Sequence, residues 1–429
     1  MGQIMLKPGK ELSIVSNNLV LNEGYSSASI IIDKAYGCYL KDVDGSVYVD
    51  TTLGNGTHIL GHSSKVVVDS IRNQLEEGIL YTTCNKHTYK AAKLIQECNP
   101  DVIESVVFCN SGSEATMRAA RISRAYTGKD KIAIFSGGWH GGNELYLFDY
   151  NYQANSEKVE HKSSGVPDAF KDSVIVLPYN SEKAFEIIEK NSDDIAMVII
   201  EPAQGSNPRD DMLDFLQKLR NVTKSNKIIL CFDEIITGFR IAIGGCAEYY
   251  NIQPDLVTYG KTLGAGLAVG VVAGSSKVMN TIQGNNNLPV FMGGTFSANP
   301  LTMAVVESLI ENLIKHKKSI YPSINKKGEL IRNRVNNHCI DKEISLRVMG
   351  IGSMMRIIFT NHFIKSRKDR DLNEVGVDTQ RKFYKKMLDY GIFVNSNGIL
   401  FLSTEHSDED VDKIISSIIL STSTLLLEE

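Results

Sequence analysis

The sequence predicts an α/β protein with two domains, a large one built on a mostly parallel seven-stranded sheet and a smaller α+β one. Three observations carry this. From about residue 65 to 308, short apolar runs alternate with amphipathic stretches, the pattern of a parallel sheet covered by helices on both faces. Beyond 309 the alternation gives way to one long helical stretch, short strands and a final helix. Ahead of it, residues 30–50 read as strands joined by a tight turn, with no helix between them. Grouping that hairpin with the C-terminal third makes residues 65–308 the large domain and residues 1–64 with 309–429 the small one.

In chain order, "IIIDKAYGCYLKDVDGSVYVD" (30–50) reads as two strands joined at Asp44-Gly45, a strong hairpin signal. Seven apolar runs are strand candidates for the large sheet: 105–109, 131–135, 173–178, 195–200, 228–232, 256–259 and 269–273. Helical spacing marks 113–126 and 210–224 between them. "LTMAVVESLIENLIKHKKSI" (301–320) is a long helix. Short strands follow in "SLRVMGIGSMMRIIF" and "GIFVNSNGILFLS", and a last helix starts at Asp408. The charge run "KSRKDRDLNE" (365–374) reads as a solvated loop.

Composition narrows the class. The chain has 429 residues, 42% hydrophobic and 22% charged, with a net charge of −4. That balance favours a globular enzyme and gives no reason to expect nucleic acid or an anionic membrane as partner. No apolar run approaches the roughly 18 residues of a membrane span, and the first residues lack a signal-peptide core. The seven cysteines are scattered with no C-x-x-C, which points to free thiols in a reducing cytoplasm and to no metal site.

Four motifs carry chemistry. "SGSEA" (111–115) joins an apolar strand to a helical stretch. Ser111, Gly112 and Ser113 there suit either an ordinary cap or a phosphate on the helix N-terminus. "YGKTLG" (259–264) supplies Gly-Lys-Thr, but a nucleotide P-loop needs glycine at 255, which is Asp255. Lys261 instead stands in a tight, apolar turn, where desolvation lowers an amine's pKa and frees it to form a Schiff base. Asp233 ends the apolar run "IILCF", at the carboxyl end of a strand where open α/β sheets bind ligands. A carboxylate there is costly unless a cation meets it. Trp139, the only tryptophan, lies between glycine pairs in "GGWHGG", either as core filler or as a stacking face for a flat ring. Pyridoxal 5'-phosphate combines a phosphate, an aldehyde and a protonated ring nitrogen, so the four motifs converge on it.

The segments "FCNSGSEATMRAARISRAYTGKDKI", "FSGGWHG", "IIEPAQG", "CFDEIITGFR", "DLVTYGKTLGAGLAVG" and "GGTFSANPL" resemble those of class III pyridoxal-phosphate aminotransferases. Within that group they are most similar to glutamate-1-semialdehyde aminomutases, and the likeness runs from about Tyr36 to the C-terminal third. The resemblance implies the type I aminotransferase fold. It implies that Gly112 and Ser113 hold the cofactor phosphate, that Trp139 and Ile235 pack on the two ring faces, and that Asp233 pairs with the ring nitrogen. Lys261 would carry the internal aldimine and shuttle the proton. Thr295 would reach the phosphate of the neighbouring subunit in a homodimer. His140 would support its loop rather than exchange protons.

The substrate side departs from that resemblance. The aminomutases place a carboxylate-binding arginine near the N-terminus. Here the corresponding stretch, "GYSSASII", offers Ser27 for the family's serine but Ile30 in place of the arginine. Asn55 stands for the substrate-side tryptophan, and "FVNSNGILFLSTEHS" lacks the arginine with which many relatives grip an α-carboxylate. The segment 145–165, at the aminomutase lid, is more aromatic and charged than the family's version. Ser27, Asn55 and Glu201 are the candidate substrate-side residues, with Arg209, Arg356, His58 and Tyr25 as further anchors. The expected activity is transfer of an amino group between a small-molecule amino donor and a carbonyl acceptor, a sugar or polyol phosphate among the latter. Intramolecular exchange giving 5-aminolevulinate is the alternative. Intact Lys261 and Asp233 speak against a protein that holds the cofactor without catalysis.

Overall fold

The computed structural model describes residues 30–152, 158–284 and 288–425, so Ser27 and Tyr25 lie outside the described residues. Sixteen strands follow in order among the described residues. They are β1 (Ile32–Tyr36), β2 (Tyr39–Asp42), β3 (Val47–Asp50), β4 (Ser105–Cys109), β5 (Lys131–Phe135), β6 (Phe148–Tyr150), β7 (Val159–His161) and β8 (Val174–Leu177). After them come β9 (Ile195–Ile200), β10 (Ile229–Asp233), β11 (Leu256–Tyr259), β12 (Gly270–Gly274), β13 (Arg347–Ile351), β14 (Met354–Ile358), β15 (Ile392–Phe393) and β16 (Ile399–Phe401).

The central sheet has seven strands in the order β4-β12-β11-β10-β9-β5-β8. Each coincides with an apolar run named above to within a residue or two at each end. β9 and β10 pair parallel with their neighbours and are buried along their whole length, which is why both read as unbroken apolar runs. β12 alone runs against its neighbours, so the sheet is mixed but mostly parallel. Helix α1 (Gly112–Thr127) packs on it through Ala115, Ala119, Ala120 and Ile122, small residues that let helix and sheet approach closely. Helix α2 (Leu213–Ser225) buries Phe215, Leu216 and Leu219.

Three smaller sheets accompany this body among the described residues, the smallest being the antiparallel pair β6-β7. β15 adds parallel to β3 in the sheet β1-β2-β3-β15, with Ile392 opposite Val49. β13, β14 and β16 make an antiparallel sheet. Leu53, Met354 and Phe401 of these outer parts share one buried cluster with central-sheet residues such as Val198 and Leu230. Arg240, fully buried, donates to the carbonyls of Gly56 and Leu402. Among the described residues no helix is long and apolar enough to cross a membrane.

Three expectations are corrected. Residues 30–50 form three strands, because Gly37 takes a left-handed φ of +53° and reverses the chain inside what reads as one strand. The second turn is where expected, with Asp42 Oδ1 accepting from the N–H groups of Asp44 and Ser46. The long helix does not stop before Pro322. It runs as α3 (Pro300–Asp341), because buried side chains continue on both sides of the proline, from Ile320 and Tyr321 to Ile324 and Ile331. Finally, the charge run folds into α4 (Arg367–Asn373), and Arg370 is buried. Arg367 and Arg370 meet Asp371 and Glu374 at helical i,i+4 spacing, and Arg367 also meets Asp149, a partner that sequence spacing does not disclose. The last helix, α5 (Asp408–Ser421), starts where expected, on a capping box between Ser407 and Asp410.

Candidate active site

The site is built at the carboxyl ends of β4, β10 and β11, on the turns that follow them. After β10, Asp233 is buried and its carboxylate is held from three sides. His140 Nδ1 lies 2.7 Å from Oδ2, while Thr258 Oγ1 and the Ile235 N–H donate to Oδ1 at 3.0 and 3.1 Å. Facing a carboxylate, His140 Nδ1 acts as donor, and its Nε2 is buried with no partner among the described residues.

After β11, Lys261 occupies a left-handed backbone conformation, φ 40°. A side chain with a Cβ is strained there by about 1 kcal/mol or more. Burial lowers the pKa of its amine, and the negative charges of Glu201 and Asp233 work against that shift. After β4, Ser111 caps α1 by accepting the Glu114 N–H, so the capping role and a free cradle coexist. The N–H groups of Gly112 and Ser113 have no partner within the helix.

The loop carrying Trp139 is pinned residue by residue. The Gly137 N–H donates to Asp149, and Ser206 donates to the Gly137 carbonyl. Lys162 donates to the Gly138 carbonyl, the Trp139 N–H donates to Glu201, and Thr116 donates to the His140 carbonyl. The Gly142 N–H reaches Ser113 Oγ. Trp139 is not core filler, since 56% of its surface is exposed. Glu201 is buried beneath this loop, where it accepts from the N–H groups of Trp139 and Gly205, and burial raises its pKa.

These residues fit pyridoxal phosphate. Lys261, Ile235, Gly112 and Ser113 are partly exposed although the strand ends around them are fully buried, as the floor of an open slot would be. Ile235 lies between Gly112 and Gly260, where an added Cβ would come within 3.1 and 3.2 Å of its Cδ1. Glycine at both positions keeps that floor low.

The other sequence candidates separate. Asn55, at φ 57°, accepts from the Asn395 amide in a turn that Thr262 ties to the Lys261 turn through the Gly56 carbonyl. Thr295 is exposed. Arg209 is taken up by Asp211 and the Ile364 carbonyl, and Arg356 by the Ser206 carbonyl. Burial and the neighbouring His62 lower the pKa of His58 to about 4. Sequence reasoning missed Thr258 and Lys162. The first was findable from strand alternation ahead of Lys261; the second had no local signal.

Fold and site together define a vitamin-B6-dependent enzyme of the transaminase type, and comparison with known proteins agrees. The model of the family "Aminotransferase class-III" matches residues 20–419. A glutamate-1-semialdehyde 2,1-aminomutase of Methanococcoides burtonii is 34% identical over 90% of either chain, and one of Persephonella marina 36% over 90% of either. Among solved structures, an omega-transaminase from Sphaerobacter thermophilus superposes with a TM-score of 0.89 at 27% identity, covering 99% of both chains. A β-phenylalanine aminotransferase from Variovorax paradoxus gives 0.81 at 30% identity, covering 92% of this chain and 87% of its own. The chain belongs to the class III aminotransferase family, and its cofactor is pyridoxal 5'-phosphate.

Proposed function

We propose that the protein is a transaminase that passes an amino group between a small-molecule amino donor and a carbonyl acceptor. The observation that carries this is the pairing of a desolvated Lys261 with an Asp233 carboxylate oriented by three donors. When bound, the cofactor supplies an electron sink that lets a proton leave the amino-bearing carbon of a substrate. The protein's own residues do the rest. Asp233 would meet the ring nitrogen, the first turn of α1 at Gly112 and Ser113 would hold the phosphate, and Trp139 and Ile235 would cover the ring faces. Lys261 would be the amine that holds the cofactor. Once a substrate amine had taken its place, the freed amine, its pKa lowered by burial, would take the substrate proton and return it at a neighbouring atom.

Transfer between two molecules is favoured by Ile30 in the arginine position and by the transaminase names of the two structural relatives above. Intramolecular exchange is the second reading, favoured by the names of the curated relatives. The comparisons lend no support to a sugar or polyol-phosphate acceptor. A homodimer is part of the proposal. Thr295 lies in a loop whose Phe291 and Phe296 are 74% and 61% exposed, an apolar surface that a second copy would cover.

The test is an absorbance titration of the cofactor-loaded protein with glutamate, alanine and 4,5-diaminopentanoate. Stoichiometric change of the cofactor band by a simple amino acid is the expected result. Response to the diamine alone would replace the proposal with the aminomutase.

A further inference from the structure

The charge run at 365–374 folds into α4, and the reading so far gives that helix no task. Two of its arginines end on the two polar groups of one residue, Gly137, which lies two positions before Trp139. At the amide, Asp149 Oδ2 accepts from the Gly137 N–H at 3.1 Å and from Arg367 Nη1 at 3.0 Å. At the carbonyl, Ser206 Oγ donates to Gly137 at 2.8 Å, and the Ser206 carbonyl accepts from Arg370 Nη1 at 2.7 Å. Gly137 has a left-handed φ of +82°, and a Cβ there would come within 2.9 Å of Arg367 Cβ. The helix therefore rests on the backbone of the Trp139 loop itself.

This clamp is stiff. Asp371 accepts from both arginines, at 2.9 Å from Arg367 and 2.8 Å from Arg370, so the two side chains are held as a pair. Asp149 and Arg370 are buried, and hydrogen bonds between ionised partners are the stronger kind. The indole of Trp139, by contrast, is largely exposed. Packing around it does not fix its direction, and the ring inherits that direction from the peptides that carry it. Glu201 and Lys162 hold the peptide between Gly138 and Trp139. Helix α4, from the C-terminal third of the chain, holds the two peptides before it through Asp149 and Ser206.

We propose that Arg367 and Arg370 are positioning residues for Trp139, setting the angle and distance at which the indole covers the cofactor ring. Arg367 acts through Asp149, and Arg370 through Ser206. Their role rests on the reading of Trp139 as the cover of a ring face, and one titration separates the two.

Trp139 is the only tryptophan, so indole emission reports on it alone. Cofactor is added back to the cofactor-free full chain until the emission stops falling. In wild type, an indole lying against a ring that absorbs where it emits should be almost wholly quenched. In Arg367→Leu and in Arg370→Leu, the emission left at saturation should rise about twofold or more, and the cofactor should bind about 3- to 10-fold more weakly, roughly the worth of one hydrogen bond. Arg367→Lys, which still brings a cation to Asp149, should recover most of the quenching. Ser206→Ala, which removes one hydroxyl and no charge, should raise the residual emission as the leucine variants do, and it decides alone where a leucine variant fails to fold. Residual emission unchanged in these variants would overturn the proposal, even with stability to urea reduced, because a helix that only stabilises the fold leaves the indole where it was. Wild-type emission that the cofactor does not quench would remove Trp139 from the ring face, and the task of α4 with it.

Discussion

Asp233 ends a strand of five buried residues, so little water is available to stabilise its charge, and the protein supplies donors instead. Of the three, His140 is the one whose side chain comes from a different loop, and it couples the Trp139 turn to the end of β10. A hydrogen bond to a charged group contributes about 1.5–3 kcal/mol. His140→Leu should therefore release the cofactor about 10- to 100-fold more readily, while His140→Asn, which can still donate, should lose less. Reconstitution of the cofactor-free protein, followed by absorbance, measures this, and equal affinity in the Leu variant and wild type would remove His140 from the site. Asp233, Lys261 and Trp139 were legible in the sequence because each breaks a local rule: a charge at the end of an apolar run, a lysine in a glycine turn, a lone tryptophan between glycines. The partnership of His140 with Asp233, 93 positions apart, breaks no local rule and needed the fold.

At the scale of elements, the same distinction explains what could be read. The seven strands of the central sheet were visible because strands buried on both faces leave continuous apolar runs. Two boundaries were not. Gly37 turns the chain within what reads as one strand, and Pro322 sits inside a helix whose buried face outweighs the lost hydrogen bond and ring clash there, together a cost of about 3 kcal/mol. The turn after β10 offers a test of how buried carboxyls tune an element. Glu234 accepts from the N–H groups of Cys246 and Ala247 and from the Thr237 hydroxyl, joining that turn to the helix Gly245–Tyr250. Burial raises its pKa from 4.5 to about 7 despite those donors. A group whose folded pKa is raised stabilises fully below its unfolded pKa, and the contribution is lost as the pH rises through the folded one. Wild type should accordingly lose about 3 kcal/mol relative to Glu234→Gln between pH 4.5 and 7, then run level. Urea unfolding of both proteins across that range checks it, and a difference that does not vary with pH would mean that Glu234 is ionised throughout.

For the whole molecule, the question is whether one protomer suffices. Two facts bear on it. The loop of residues 291–298 is fastened to α1, whose first turn at Gly112 and Ser113 is the proposed phosphate cradle, by Arg118 and Arg121 through the carbonyls of Gly293 and Phe291. That loop turns Phe291, Thr295 and Phe296 outward, so in the proposed dimer Thr295 serves the partner's cradle rather than its own. Subunit complementation decides between the arrangements. Lys261→Ala should be inactive, and Thr295→Ala should fall below about a tenth of wild-type activity at limiting cofactor, each as a homodimer, since losing a hydrogen bond to a charged group is worth about tenfold or more. In a mixed dimer, the protomer carrying Thr295→Ala keeps its own Lys261 and receives an intact Thr295 from its partner, which makes one whole site. Equal mixing after dissociation and reassociation should then give roughly a quarter of wild-type activity, because half of the dimers are mixed and each has one working site of two. If Thr295 acted within its own chain, every site in the mixture would lack one of the two residues or come from an unmixed mutant dimer, and activity would stay at the mean of the separate variants. A protein that sediments as a monomer with full activity would remove the dimer, and with it the role of Thr295.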